Sequence, residues 1–394
     1  MTRFLPGRSR AETTAQTRAR AISSARSLIA SRGVASTSLE DVASETGISR
    51  PGLKGHFPTK DALISAVSAD FCAEVSTALG TTPRSWSSLL DIADYREMSV
   101  QLLSVALTDN FEVRTSASHH QQLLTSSEGI LAAYGRPAGL TTSALVAAWE
   151  GLIVMQSYFP SLNPARIVSA RLESRVLRTV DSPIQKTALP LSTLVPADFG
   201  YAPGQSRRHQ IIEDATVLFA RNGYHRTTVR QLASEVGISS STLLHHFGDK
   251  AGLLAEVLRR RDEQLVARRG DQILAPRQEL SELGDEARRD LSVERGLVDM
   301  YAVLSTEATH ADHPAHAYFA HRYARTIDYF ESAIARAGVG ADDPHLEAVW
   351  LVALWDGLQY QLLLDPGGVD LPGELEHHVE SALDIAPGES PARG

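Results

Sequence analysis

The chain has 394 residues, 43% hydrophobic, 22% charged and only 6% aromatic, with a formal net charge of −9. That length exceeds one ordinary domain, and the composition suits a folded protein with sizeable cores rather than a disordered or fibrous one. The lone cysteine, Cys72, excludes an intrachain disulfide and a cysteine zinc site. The opening residues MTRFLPGRSRAE contain no apolar run of the kind a secretory signal needs. The longest apolar stretches, Ala144–Phe159 and Val349–Leu364, are interrupted by Glu150 and Asp356. Both fall short of the roughly 20 apolar residues of a membrane helix. The expectation is a cytoplasmic protein with no membrane contact.

The negative charge argues against nucleic acid until it is mapped. Residues 1–67 hold ten Lys and Arg against five Asp and Glu. Within this basic stretch Ile22, Ala25, Leu28 and Ile29 recur at helical spacing and stop at Gly33. Thr37 is read as the cap of a second helix, with Glu40 completing a capping box. Leu39, Val42 and Ala43 give that helix a buried face, Gly47 supplies a tight turn, and Ser49 caps a short third helix that tolerates Pro51 in its first turn. Thr59-Lys60 opens a fourth helix, whose free amides and lysine favour a phosphate. Helix, short turn, helix on a basic island is the footprint of a DNA-binding module.

Further along, Ala148-Trp149-Glu150-Gly151-Leu152 lies in an apolar helix. The segment 181–206, with four prolines and few charges, reads as a linker. The first pattern then returns. Shifted by 190 residues, Ile22–Val67 falls on Ile212–Val257 without a gap, identical at 18 of 46 positions. Ile212, Ala215, Leu218 and Phe219 form the first helical face, ended by Gly223; Val229, Leu232 and Ala233 form the second; Gly237 makes the turn, and Ser239 caps SSTLLHHF. Residues 200–261 again carry nine basic against five acidic side chains. The apolar helix returns as Leu354-Trp355-Asp356-Gly357-Leu358 at a spacing of 206, so the second copy has gained residues in between.

Thr227-Thr228-Val229, Leu232-Ala233, Gly237-Ile238-Ser239, Thr242-Leu243, His246-Phe247 and Lys250 resemble the TetR-type repressor signature. The first copy matches it through Thr37-Ser38-Leu39, Val42-Ala43, Gly47-Ile48-Ser49, Leu53, His56-Phe57 and Lys60, and the run from Trp355 to Pro366 resembles a dimerisation helix of these proteins. The resemblance implies an all-α fold of two tandem TetR-like units, each a helix-turn-helix domain followed by a helical ligand-binding and dimerisation lobe. The corresponding domains are 15–68 and 69–180, then the linker 181–206, then 207–258 and 259–386. It further implies a repressor released from double-stranded operator DNA by a small-molecule inducer, and neither an enzyme nor a cofactor protein.

In such a module the early residues of the second helix meet base edges. These are Arg50, Pro51 and Gly52 in copy one, and Ser240, Ser241 and Thr242 in copy two. Arg50 is read either as a base contact or as a phosphate-binding arginine. Ser49, Ser239, Thr37, Thr228, His56, His245, His246, Lys54, Lys60 and Lys250 are expected at phosphates, the two histidines before phenylalanine having packing as their alternative. Arg207 and Arg208, like Arg18 and Arg20, are expected to form arms along the backbone. Both copies depart from the family pattern two residues before His-Phe, where Lys54 and Leu244 replace the usual tyrosine. Gly52 and Gly55 each cost copy one about 1 kcal/mol of helix propensity.

Trp149, Met155, Tyr158 and Phe159 in the first lobe, and Tyr318, Phe319, Trp350, Trp355 and Tyr360 in the second, line a ligand pocket or else form core. Metal binding is not expected at His310, His313, His316 and His321: His313-Pro314 interrupts any single helix, no two of these histidines are four residues apart, and no carboxylate pair frames them. The two lobes are expected to pair within one chain as a pseudo-dimer, with further homodimerisation as the alternative. A ligand-binding or scaffolding protein with degraded DNA modules is the rival from another class.

Overall fold

The computed structural model describes residues 10–80, 85–108, 116–137, 139–173, 202–269, 274–338 and 343–385. Among them every regular element is a helix. The first half contains α1 (Arg10–Arg32), α2 (Leu39–Thr46), α3 (Arg50–His56), α4 (Lys60–Leu79), a 3-10 turn (Ser87–Asp91), α5 (Tyr95–Ala106), α6 (Ser116–Ala133), α7 (Thr142–Tyr158) and α8 (Pro164–Glu173). The second contains α9 (Ala202–Arg226), α10 (Val229–Val236), α11 (Ser240–Phe247), α12 (Lys250–Arg269), α13 (Pro276–Ser281), α14 (Leu283–Val293), α15 (Arg295–Glu307), α16 (His316–Ala337), α17 (Pro344–Leu364) and α18 (Leu371–Leu383). α9 takes in the last five residues of the expected linker, and residues 181–201 lie outside the described residues. α4 and α12 run unbroken through the expected domain boundaries at 68 and 258.

Each module is built alike. α2 and α10 end at Gly47 and Gly237, whose φ values of 72° and 69° lie in the left-handed region that suits glycine. α3 and α11 then start from serine caps: Ser49 accepts the Gly52 amide at 3.2 Å, and Ser239 the Thr242 amide at 3.1 Å. Leu53 and Leu243 anchor these helices in the core beside Phe57 and Phe247. One register is corrected. The cap of α2 is Ser38, boxed with Asp41, as Thr228 is boxed with Gln231. Thr37 is buried and donates its hydroxyl to the Gly33 carbonyl at 2.9 Å, as Thr227 does to Gly223 at 2.7 Å.

The lobes meet along α7 and α17, which are buried for most of their length. A side chain at Gly151 would overlap the Ala353 carbonyl, and one at Gly357 would overlap the Ala147 carbonyl. Ala147 and Ala353 are 206 apart, as are Gly151 and Gly357, so this is one contact made twice in an antiparallel crossing. The acid beside each glycine turns into its own lobe. His120 Nδ1 lies 2.8 Å from Glu150, and Tyr323 donates to Asp356 at 2.7 Å. Between lobes, Tyr158 donates to the Ser305 carbonyl at 2.6 Å, and Thr141 to Glu374 at 2.8 Å.

One helix among the described residues, Lys60–Leu79, has the length and mean hydropathy of a membrane span. It folds into the first half instead, burying Leu63, Ile64, Val67, Phe71 and Val75, while its Asp70 and Glu74 pair with Arg26 at 3.5 and 2.6 Å.

His119 sits in the first lobe's core near Tyr95 and Ser99, and burial, helped by His120, pushes its imidazole down to about 3. The unfolded chain takes up this proton near pH 6.5, so the stability present above that value is lost as pH falls toward 3. Between pH 7.5 and 5.5 this group contributes a loss on the order of 1 kcal/mol, read as the difference between wild type and His119→Gln in denaturant titrations at the two pH values.

Candidate nucleic-acid interface

The N-terminal turns of α3 and α11 present their side chains to solvent. Arg50, Pro51, Gly52 and Lys54 are exposed, as are Ser241, Thr242 and His245; Ser240 is half-buried. The Arg50 guanidinium pairs with Glu40 at 3.2 Å, and both side chains are well exposed. Such a pair contributes little, so the guanidinium is free to exchange it for a base or phosphate. In copy two Ser239 draws the Ser241 and Thr242 hydroxyls to 2.8 Å each, which organises a compact polar tip. Leu244 is one of the few exposed large apolar side chains among the described residues. His56 and His246 are half-buried, with ring centroids 6.4 and 6.1 Å from Phe57 and Phe247.

Several residues expected at phosphates are engaged elsewhere. Thr37 is buried, as described, and Ser38 occupies the exposed cap position that matches Thr228. The 190-residue register pairs Ser38 with Thr228, a signal outweighed by reading the cap one residue early. Arg207 and Arg208 are not extended arms: both lie in α9 and fold back on their own module. Arg208 covers the Phe247 ring at 4.6 Å and donates to the His246 carbonyl at 2.8 Å, and Arg207 reaches the Val236 carbonyl at 3.2 Å. In copy one Arg18 covers Phe57 at 5.0 Å, and Arg20 binds the Thr46 carbonyl at 2.5 Å. Thr46 and Val236 are 190 apart, so arginines from different positions close the same helix end.

Lys60 and Lys250 are likewise turned inward. Lys60 donates to the Val34 carbonyl at 2.6 Å, and Lys250 to the Tyr224 and Thr227 carbonyls at 3.0 Å each. Burial holds both ammonium groups below the usual lysine range. They neutralise the carbonyl ends of α1 and α9, where a cation is favoured. Lys250→Met is therefore expected to lower stability by about 1.5–3 kcal/mol. It should leave the salt slope of DNA binding unchanged, whereas a phosphate contact would reduce that slope by about one.

The same helix ends are latched to the lobes by residues that the sequence reading missed. The Val34 amide donates to Gln101 on α5 at 2.9 Å, and the Tyr224 and His225 amides donate to Glu307 on α15 at 2.5 and 2.7 Å. Gln101 and Glu307 are 206 apart, and the glutamine–glutamate difference hid their equivalence. Gly33 and Gly223 precede the latches with φ of 83° and 73°, and a side chain at Gly223 would collide with Glu307.

The aromatic residues proposed for ligand pockets are mostly spent on packing. In the first lobe only Trp149 lines the cavity beside His119, His120 and Glu150, whose volume of about 20 Å³ is that of a water site. Met155, Tyr158 and Phe159 line neither that cavity nor the larger one below, and the same holds for Tyr318, Phe319, Trp350, Trp355 and Tyr360. Tyr158 joins the lobes, Trp350 stacks under Arg171 at 5.3 Å, and Tyr360 lies 3.0 Å from the Ser305 hydroxyl. Helical periodicity places such side chains on a buried face without distinguishing core from pocket. The larger cavity, about 510 Å³, lies at the latches of both modules, lined by Arg32, Lys60, His225, Arg226, Glu307 and His313 among others.

Residues 21–67 and 211–257 each match the family model described as bacterial regulatory proteins, tetR family. The chain is 32% identical over 118 residues to the HTH-type transcriptional repressor Rv1474c of Mycobacterium tuberculosis, covering 26% of this chain and 63% of that protein. It is 42% identical over 66 residues to the repressor KstR2 of the same organism, covering 17% of this chain and 33% of that one. A transcriptional regulator from Saccharomonospora viridis, solved with choline, is 28% identical and covers 45% of this chain and 95% of its own, with a TM-score of 0.39. The chain thus spans less than two thirds of the length of the curated relatives it matches.

Proposed function

We propose that this chain, a tandem-duplicated TetR-type protein whose two helix-turn-helix domains belong to the tetR family of bacterial regulatory proteins, is a sequence-specific DNA-binding transcriptional regulator. It acts as a repressor, and its two halves form a single-chain pseudo-dimer. The observation that carries this reading is the doubled contact of Gly151 with Ala353 and Gly357 with Ala147. A two-fold pairing of identical subunits makes each contact twice, and here one chain supplies both sides. Its recognition helices, RPGLKGH and SSTLLHHF, are unlike, so the operator has two unlike half-sites.

A small-molecule inducer acts at the junction of modules and lobes. The cavity of about 510 Å³ there is within the usual size of ligand sites, and its walls include the latches that hold α1 and α9. A molecule that displaced Gln101 or Glu307 would release a DNA module from its lobe.

Selection of bound genomic fragments with the wild type, Arg50→Ala and a Ser240→Ala/Ser241→Ala double variant tests the reading. Arg50→Ala is expected to relax one half-site only, by roughly 1–3 kcal/mol of discrimination, and the double variant the other. Wild-type affinity should fall steeply with salt as phosphate counterions are released. Salt-independent binding, or none, would favour a protein that has lost its DNA contacts.

A further inference from the structure

We infer that His225, Glu307 and His313 form a binding site for a divalent transition-metal ion of the zinc class, set in the wall of the cavity between the two DNA modules. Their ligand atoms lie within 4.8 Å of one another, although the residues come from the end of α9, the end of α15 and the turn that follows it. Two imidazoles and one carboxylate are a donor set suited to zinc, with the fourth position left to water or to a ligand in the cavity. All three residues line that cavity, so the open position faces it. His313-Pro314 does interrupt the helix, as the sequence suggests, but the interruption is what folds His313 back toward α9.

Three further observations point to a ligand. His313 is 3% exposed, and its Nε2 has no hydrogen-bond partner among the described residues. A buried polar nitrogen left in this way is uncommon in a folded protein. Next, Glu307 is already oriented by the Tyr224 and His225 amides, the kind of outer support that fixes a metal-binding carboxylate. Finally, the first copy lacks the constellation while keeping the latch. Its counterpart of Glu307 is Gln101, its counterpart of His225 is Ala35, and α5 runs on to Ala106 where α15 stops at Glu307. The latch alone therefore does not require these donors.

Burial holds His313 down to about 3, and partial desolvation with the nearby Lys250 and His310 keeps the His225 ring below its usual range, so both rings are neutral and able to ligate near pH 7. Burial pushes the Glu307 carboxyl up to about 7, an imbalance that a divalent cation offsets. Lys250 and Arg226 stand nearby and oppose the cation, which sets the affinity below that of a closed four-ligand site. Zinc–ligand distances of about 2.0–2.2 Å require the three side chains to draw together. His225, being exposed, has room to do so. Coordination through His313 Nε2 places the ring proton on Nδ1 and gives up its 3.1 Å contact with the Ala315 amide. The bound ion would tie the second DNA module to its lobe and leave the first untouched.

The test uses the tag-free full chain, stripped by chelation and titrated with zinc against a chromophoric competitor, then with cobalt(II) as a spectroscopic probe. One equivalent is expected to bind, with the absorption bands of a tetrahedral nitrogen–oxygen cobalt site. His225→Ala and His313→Ala should each weaken binding by at least 10–100-fold. Glu307→Gln copies Gln101 and keeps one acceptor for the two latch amides, so it should lose metal affinity while remaining folded, with a melting point lowered by the one lost amide contact. Should His313→Ala not fold, the exposed His225 and the conservative Glu307→Gln carry the test. Absence of saturable binding, or unchanged affinity in the folded variants, would overturn the site. None of these readouts involves DNA, so the outcome is independent of the regulator reading.

Discussion

Replacing Glu347 by alanine is expected to destabilise the chain by about 3–5 kcal/mol, because it strands a buried arginine. Arg171 of the first lobe, only 6% exposed, donates to Glu347 of the second at 2.8 Å and to His378 Nδ1 at 3.2 Å. His378 Nε2 lies 2.9 Å from the other Glu347 oxygen, close enough for an ion pair but outside hydrogen-bond geometry, so the three side chains form one buried polar cluster. Burial alone would raise the Glu347 carboxyl, but the Arg171 charge and His378 outweigh it and hold it below the usual carboxylate range. Denaturant unfolding of Glu347→Ala measures the loss. A triple variant, Arg171→Met, Glu347→Leu, His378→Phe, should recover most of it, since an apolar replacement leaves no charge unpaired. The cluster also discriminates between pairings. In a contact between two first lobes, Arg171 would face Thr141, the residue 206 positions before Glu347, and find no carboxylate there.

The second large effect inverts a familiar sign. Alanine for glycine inside a helix ordinarily stabilises by roughly 0.5–1 kcal/mol. At Gly129 in α6, where an added Cβ meets nothing within 4 Å, that gain is expected. At Gly151 and Gly357 the same change drives a methyl into the carbonyl of the facing helix. Backbone cannot swing aside as a side chain does, so a loss of about 1–3 kcal/mol or more per site is expected. Thermal or denaturant melts of Gly129→Ala, Gly151→Ala and Gly357→Ala check the reversal. Stabilisation at all three positions would mean that α7 and α17 do not cross where described.

The modules were legible because local chemistry specifies them. Glycines at the αL turn, serine caps, and leucine and phenylalanine anchors all act within a few residues, and the repeat at 190 doubled the signal. The fold departs from the local sequence pattern where one residue of register or a long-range partner decides the outcome. Thr37 and Ser38 both suit a cap, and only the fold shows which hydroxyl is buried. Lys60 and Lys250 look like phosphate ligands in sequence, yet they answer carbonyls more than twenty residues away. Glu307 and His225 are 82 residues apart, and no periodicity links them. The Trp-acid-Gly motif is legible in both halves, but not the division of labour within it, with the acid turned into its own lobe and the glycine toward the other.

The most direct test of one chain acting as a dimer is sedimentation of the protein, alone and bound to its selected operator, at several concentrations. A single chain is expected in free solution and one chain per operator, with two half-sites of unlike sequence. Two chains per operator, or a single chain bound to a strictly palindromic site, would contradict it.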